Sequence, residues 1–372
     1  MAKGVKIILG LLKALGALLS IALAAAFVIS AYGGVVDPMV SARFSVAALA
    51  FPVMLVLMVV LLVLWLVLRQ WLIAAVVALA LIISGGPILS FFPVNIGGGL
   101  PESDTGHSFK VLTYNVMNFD DFTGEEHTPN RTIQFVLDTD ADVVCLQETS
   151  MGRYASRKEV VKMHLEKLAE TYPYSYFDKM IDVAVFSKYP FTGDDSVKVE
   201  RRDKFVSVGI DIAGRRLRLF NCHLQSIGLR DEDKELYREL TELKKIGGEG
   251  ELDEVRETLI SKLAEAFRQR SLQARELRDA IDAASEPNVL VCGDFNDIPS
   301  SYAQRTIMGS DMRDAYRDCA FGARITFHSD RFYFRIDHVL YRGDFRAADI
   351  ERSTINCSDH YPLVTTFVWN DK

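Results

Sequence analysis

The chain has 372 residues, 42 of them basic and 49 acidic, for a formal charge of −7. Residues 1–100 hold one acid, Asp37, against Lys3, Lys6, Lys13, Arg43 and Arg69, so the rest carries a formal −11. That split excludes a chain of uniform character, and it excludes a module that grips polyanions by its overall field. The five cysteines, Cys145, Cys222, Cys292, Cys319 and Cys357, are odd in number and lack C-x-x-C spacing, which excludes a zinc ribbon and a disulfide framework. Four lie inside apolar runs, where a thiol acts as a small buried hydrophobe.

In chain order, three apolar runs come first, at about 5–30, 44–68 and 71–93. Each is long enough to cross roughly 30 Å of hydrocarbon, which takes about 20 helical residues. Three transmembrane helices are therefore expected in an anchor over 1–94. The first run also has the basic start and small-residue end of a cleavable signal, but two further spans follow it directly and favour a retained helix. Only Arg69 and Gln70 separate the second and third runs, predicting a tight hairpin. Lys3, Lys6 and Arg69 would then face the cytoplasm, which puts the remainder of the chain outside it, on a periplasmic or extracellular face. Free thiols sit awkwardly with that orientation. Residues 95–107, rich in Gly, Pro and Ser, read as a linker.

Beyond the linker, β-rich runs recur at 110–116, 142–148, 184–188, 205–212, 217–224, 288–294, 324–329, 334–341 and 363–369. Helical patterns fall at 128–139 and 157–171. This mixture predicts mixed sheets packed face to face with helices outside, in place of a regular βαβ alternation. Residues 226–286 are highly charged and carry no strand signal. There Val255, Leu259, Leu263 and Phe267 recur every four residues, the stripe of a helix running to about Ile281. A shorter helix, marked by Leu236, Tyr237, Leu240 and Leu243, precedes it and ends at Gly247 and Gly248. Packing on the sheet is the expected role of this insertion; a lid or a lipid contact is the alternative.

The strand ends carry the chemistry. The stretch VCGDFNDIPSS (291–301) runs an apolar strand into Gly293, Asp294, Asn296 and Asp297. Alone it could be a polar turn. Other runs deliver Asn115, Gln147 with Glu148, His223, Asp337 with His338, and, before the last strand, Asp359 with His360. Turn chemistry explains any one of these and explains six poorly. Oxygen donors without thiols suit a hard cation such as Mg²⁺ or Mn²⁺. A cation of this kind neutralises phosphate oxygens while a carboxylate activates water and imidazoles stabilise the charge on phosphorus.

TYNVMNF (113–119), CLQET (145–149), CHLQS (222–226), GDFND (293–297), RIDHV (335–339) and SDHYP (358–362) resemble, in order and spacing, the motifs of the endonuclease/exonuclease/phosphatase family over about 108–370. The resemblance implies a four-layer α/β sandwich, two mixed sheets flanked by helices, over 108–372. It also implies a metal held by Asn115 and Glu148 with Asp359 near the same site. Asp294 would activate water, Asn296 would position it, and His360, steered by Asp337, would donate to the phosphate, which His223 also contacts. Gln147 and His338 could instead be structural hydrogen-bonders, and Asp297 could cap its turn. Met117 stands where the abasic-site endonuclease branch carries an acid, which argues against DNA repair.

The expected function is hydrolysis of a phosphoester by a membrane-anchored, divalent-metal-dependent phosphodiesterase or endonuclease. A phospholipase C or sphingomyelinase-like lipid phosphodiesterase, or a phosphatase, is the alternative. The expected partners are therefore nucleic acid or a lipid headgroup, together with the bilayer. A binding module that had lost catalysis is the third reading, but it should lack Asp294, Glu148 or His360, and all three are present.

Overall fold

The computed structural model describes residues 2–96, 107–119, 130–150, 166–193, 199–228, 248–329 and 333–370. The expected short helix around 236–243, the helical pattern over 157–165 and most of the linker lie outside them.

The first apolar run is one helix, α1 (Ala2–Ala31), and the overlapping stretch Ile7–Val35 is long and apolar enough to cross a membrane. The other two expected spans are broken. The helices α2 (Pro38–Ala48) and α3 (Phe51–Val67) meet at 49°, and α4 (Trp71–Ile83) and α5 (Gly85–Phe91) at 63°. Pro52 has no N–H and its ring excludes the carbonyl four residues back, so the helix must restart there; Gly85, Gly86 and Pro87 break the other pair. Three spans result only if each bent pair crosses as one.

These helices pack around Phe27, Phe51, Met58, Trp65 and Val77, and the Trp65 indole donates to Ser20 Oγ at 2.9 Å. The Tyr32 hydroxyl donates to the Ile83 carbonyl at 2.6 Å, so the carboxyl ends of α1 and α4 lie together, and the Arg69 turn falls at the other end.

These apolar helices are docked on the rest of the chain. Asp37 pairs with Arg275, and a Cβ on Gly34 would stand 2.0 Å from the Ser300 carbonyl oxygen, so only glycine permits that approach. Buried Arg335 donates to the Ser90 carbonyl at 2.5 Å. The expected linker does not begin free: Asn95 Nδ2 donates to the Ala320 carbonyl at 2.8 Å and Gly322 N to Pro93 O at 2.8 Å.

Two mixed sheets follow. One runs β12 (Phe345–Arg352), β13 (Leu363–Trp369), β1 (Ser108–Asn115), β2 (Val143–Gln147), β4 (Val183–Ser187), β3 (Tyr174–Asp178). The other runs β10 (Arg313–Asp314), β11 (Asp337–Arg342), β9 (Asn288–Asp294), β8 (Arg215–His223), β7 (Phe205–Ile212), β5 (Phe191–Thr192), with β6 (Val199–Arg201) also on β7. The pairs β1–β2 and β8–β9 are parallel and the others antiparallel.

Period-two alternation sorts the strand side chains. Val111, Cys145 and Val185 meet Val208, Leu219, Leu290 and Cys292 between the sheets. Leu112, Tyr114, Val144 and Leu146 face outward onto α6 (Arg131–Thr139). On the other outer face, Phe220, Val289 and Val291 meet Ala274, Leu277 and Ile281 of the insertion helix (Gly248–Ala283) and Ile307 of the helix Tyr302–Met308. The layers are thus helix, sheet, sheet, helix.

The insertion helix does pack on the sheet, through its second half. The strand expected at 324–329 does not form: Thr326 Oγ1 accepts from the Ile336 and Asp337 amides at 3.0 and 3.2 Å, so a side chain takes the place of a ladder, and Phe327 makes only isolated bridges.

Candidate active site

Because β1 runs parallel to β2 and β8 to β9, their carboxyl ends gather on one edge, and antiparallel β11 starts there. Register aligns His223, Asp294 and Asp337 as direct neighbours across three strands of one sheet, and Asn115 beside Gln147 in the other. The two edges are held at fixed spacing from inside the sandwich. Gln147 Nε2 donates to Asn221 Oδ1 at 2.7 Å, and Asn221 Nδ2 to the Leu146 and Ala184 carbonyls at 3.0 and 2.9 Å. Gln147 is therefore an inter-sheet hydrogen-bonder.

Asp294 is the fully buried centre. Its Oδ1 accepts from the Asn296 amide at 2.7 Å and its Oδ2 from Asn115 Nδ2 at 3.1 Å. The chain can turn so tightly only because residue 293 is glycine, at φ 137°, where a Cβ would stand 2.0 Å from the Cys222 carbonyl oxygen. Asn296 takes the left-handed backbone that Asn tolerates, and its Nδ2 donates to the Leu224 carbonyl at 3.0 Å. It acts on Asp294 through its backbone.

His360 Nδ1 lies 2.9 Å from Asp337 Oδ2, and His360 Nε2 lies 3.6 Å from Asp294 Oδ2. Burial opposes charge on this imidazole, yet Asp337 and Asp294 outweigh it and lift His360 to about 10. Burial pushes the Asp294 carboxyl up to about 7, against the pull of His360. At neutral pH the proton sits on His360, and Asp294 is poised to take one. His223 Nε2 lies 3.7 Å from Glu148 Oε1 and 3.8 Å from Asp294 Oδ2; burial lowers this imidazole, with Glu148 pulling the other way.

Glu148 also sits in left-handed backbone, at φ 53°, an unfavourable state for a glutamate that persists at sites the surroundings enforce. Its Oε1 accepts from Asn115 Nδ2 at 3.1 Å. The Asn115 oxygen accepts from the Met117 amide at 3.1 Å, so the amide nitrogen faces the two carboxylates here. Asp359 lines the same cavity as Glu148 and Asp294, and its Oδ1 accepts from Ser358 Oγ at 3.3 Å. Ser358 Oγ lies 2.7 Å from the Asn115 carbonyl and ties the SDH segment to β1.

All eight expected site residues meet at this edge. His338 does not: it is buried, with Nε2 2.8 Å from the Asp297 carbonyl and Nδ1 3.2 Å from Gln304 Nε2. Asp297 caps Ile298 at 2.9 Å and pairs with buried Arg270 at 3.3 Å. Sequence reasoning missed Arg270, although it stands three places after Phe267 on the apolar stripe, where a charge needs a buried partner. It also missed Leu49, which lines the cavity from the turn between α2 and α3 and has no sequence signal apart from the nearby Pro52.

The sequence profile of the Endonuclease/Exonuclease/phosphatase family matches residues 112–360, and the chain belongs to that family, whose members are hydrolases acting on phosphoesters. A separate domain of unknown function (DUF8431) matches residues 11–91. No curated protein matches the chain. Among solved structures, D. rerio TDP2 complexed with single strand DNA product is 16% identical, covering 70% of this chain and 98% of its own at a TM-score of 0.48. The endonuclease/exonuclease/phosphatase from Bacteroides vulgatus is 18% identical (71% and 99%, TM-score 0.47), and the human Nocturnin catalytic domain 15% (71% and 94%, TM-score 0.45).

Proposed function

We propose that this chain is a membrane-anchored, divalent-metal-dependent phosphodiesterase. The carrying observation is buried Asp294, held by Asn115 and Asn296 and set 3.6 Å from an imidazole that Asp337 keeps charged. Asp294 takes a proton from water as the water oxygen bonds to phosphorus and the P–O bond to the leaving alcohol breaks. The alkoxide is reprotonated from solvent. His360 and His223 donate to the phosphoryl oxygens, where charge accumulates.

The donor set fits a hard cation: two carboxylates, Glu148 and Asp359, beside the amide of Asn115, with no thiol among the lining residues. Asn115 would turn its oxygen inward for that role. Such an ion, Mg²⁺ or Mn²⁺, supplies charge to a phosphate oxygen and to the leaving group. Asp294, Asp337 and His360 also bring ligand atoms within 4.8 Å of one another, but Asp337 already holds the imidazole as a proton carrier.

Full-length protein in detergent, bis(4-nitrophenyl) phosphate and Mg²⁺, beside the Asp294→Ala protein, form the test. Metal-dependent hydrolysis lost in the variant is expected. Activity retained by Asp294→Ala overturns the base, and activity indifferent to EDTA overturns the metal. We also propose that the catalytic domain lies outside the cytoplasm. Supporting this, the catalytic domain docks at the end of the anchor away from the Arg69 turn, and basic residues favour the cytoplasmic side. A fusion of alkaline phosphatase after Lys372 should be active, and an inactive fusion would reverse the orientation.

A further inference from the structure

The catalytic cavity, about 270 Å³, is lined by two unlike sets of residues. Glu148, Asp294, Asp359 and His360 form one. The other is built by Leu49, Ile227, Leu263, Phe267, Phe327 and Phe334. Leu49 belongs to the anchor: it sits in the elbow between α2 and α3, two residues before the helix whose Val53, Val56 and Val60 are 74%, 65% and 57% exposed. The cavity wall therefore includes a residue next to the exposed face of α3, and Phe327 of the same wall packs on the His360 ring at 5.0 Å. The helix that leads into this elbow, α2, is held at its start by the Asp37–Arg275 pair and by the close seat of Gly34 on Ser300.

We infer that the substrate is an amphiphile, a phosphoester bearing a hydrocarbon chain, drawn from the membrane with its chain along Leu49 and Leu263 and its phosphorus at Asp294. This rests on the hydrolase reading above and names its substrate class. The lining decides it: Asp294 and His360 suit a phosphoryl group, while Leu49, Ile227, Leu263, Phe267, Phe327 and Phe334 give the described wall an apolar surface that suits a hydrocarbon chain better than a sugar or base. A nucleic-acid backbone needs cations along its path. Among the described lining residues the Lys or Arg side chain is Arg270, which is closed on Asp297 and the Gln225 carbonyl, and the domain is acidic. Hydrolysis adds water across one P–O bond and yields an alcohol and a phosphate ester, without any further reactant.

The test uses full-length protein in detergent with Mg²⁺ and two substrates that share a leaving group, hexadecyl 4-nitrophenyl phosphate and ethyl 4-nitrophenyl phosphate, with supercoiled plasmid as a third. The long chain should raise kcat/KM by at least about tenfold, since each buried methylene contributes. Micelles alone can concentrate a long-chain substrate, so the deciding readout is the long-to-short ratio in Leu49→Gln and Leu263→Gln, where it should collapse toward one. Either variant suffices if the other fails to fold. A ratio near one in the unaltered protein, or a ratio untouched in a folded variant, overturns the inference. Plasmid cleavage without a chain-length advantage overturns it in favour of nucleic acid and leaves the hydrolase reading standing. Folded protein that cleaves none of the three with Mg²⁺ or Mn²⁺ overturns both.

Discussion

The polar and apolar linings of the catalytic cavity are built by different means. In the polar lining, six chain segments converge at strand termini, and hydrogen bonds of 2.7 to 3.1 Å join Asp294 to Asn296 and Asn115, Asn115 to Glu148, and His360 to Asp337. In the apolar lining, side chains from the α2–α3 elbow and the insertion helix face one cavity without polar bonds between them. Hydrogen-bonded strand ends hold atoms to fractions of an ångström, as proton transfer requires. Apolar contact between helices is non-directional and accommodates shape. Chemistry is thus assigned to the rigid part and selection to the adaptable one.

The sharpest way to break this contrast is to remove the base. Asp294→Asn keeps the shape and the Asn296 bond, and kcat should fall by roughly 10²- to 10⁴-fold, with the thermal midpoint in the same detergent little changed. A small loss would place the chemistry elsewhere.

Next in size is a stability effect from the buried polar layer beneath the site. Burial, reinforced by Arg335, lowers the His338 imidazole to about 3. Its folded value lies below the unfolded one, near 6.5, so the unfolded chain binds the proton first. The contribution is complete above pH 6.5 and is lost as pH falls, by about 3 kcal/mol at pH 4. Urea titrations at pH 7 and pH 4 should register this drop, and His338→Gln should flatten it. An equal slope in the variant assigns the acid sensitivity to other groups.

Asp337→Asn should lower kcat by about 10- to 100-fold, because His360 loses the carboxylate that sustains its charge. Its ¹⁵N shifts should then report an imidazole that deprotonates at lower pH; an unchanged titration would make Asp337 merely structural. The smallest effect is expected at the half-exposed Asp37–Arg275 pair. Arg275→Ala should cost less than about 1 kcal/mol, read as a modest fall in thermal midpoint, and a larger fall would make the elbow as rigid as the strand ends.

What the sequence disclosed follows the same division. Asp294, Asn296, Glu148 and His360 stood out because carboxylates, amides and imidazoles at the ends of apolar strands have few other reasons to recur. Leu49, Leu263 and Phe267 did not, because apolar residues in helices look alike whether they face core, lipid or substrate. Short edge strands such as Tyr174–Asp178 and Arg313–Asp314 were equally silent, since half-exposed strands lack an unbroken apolar run. The helix breaks were written at Pro52 and at Gly85-Gly86-Pro87, but hydropathy over a long window masks a local loss of backbone bonding.

Cys145, Cys222, Cys292 and Cys357 are buried and Cys319 is partly so. Burial raises the Cys145 and Cys222 thiols and pushes Cys319 up to about 12. Such thiols present almost no thiolate to an alkylating reagent, whichever redox compartment surrounds them. The native chain is therefore already a silent background for labelling. With Met180→Cys, 79% exposed at that position, a membrane-impermeant maleimide on intact cells becomes a second test of the proposed orientation: labelling supports a domain outside the cytoplasm, and labelling only after lysis reverses it.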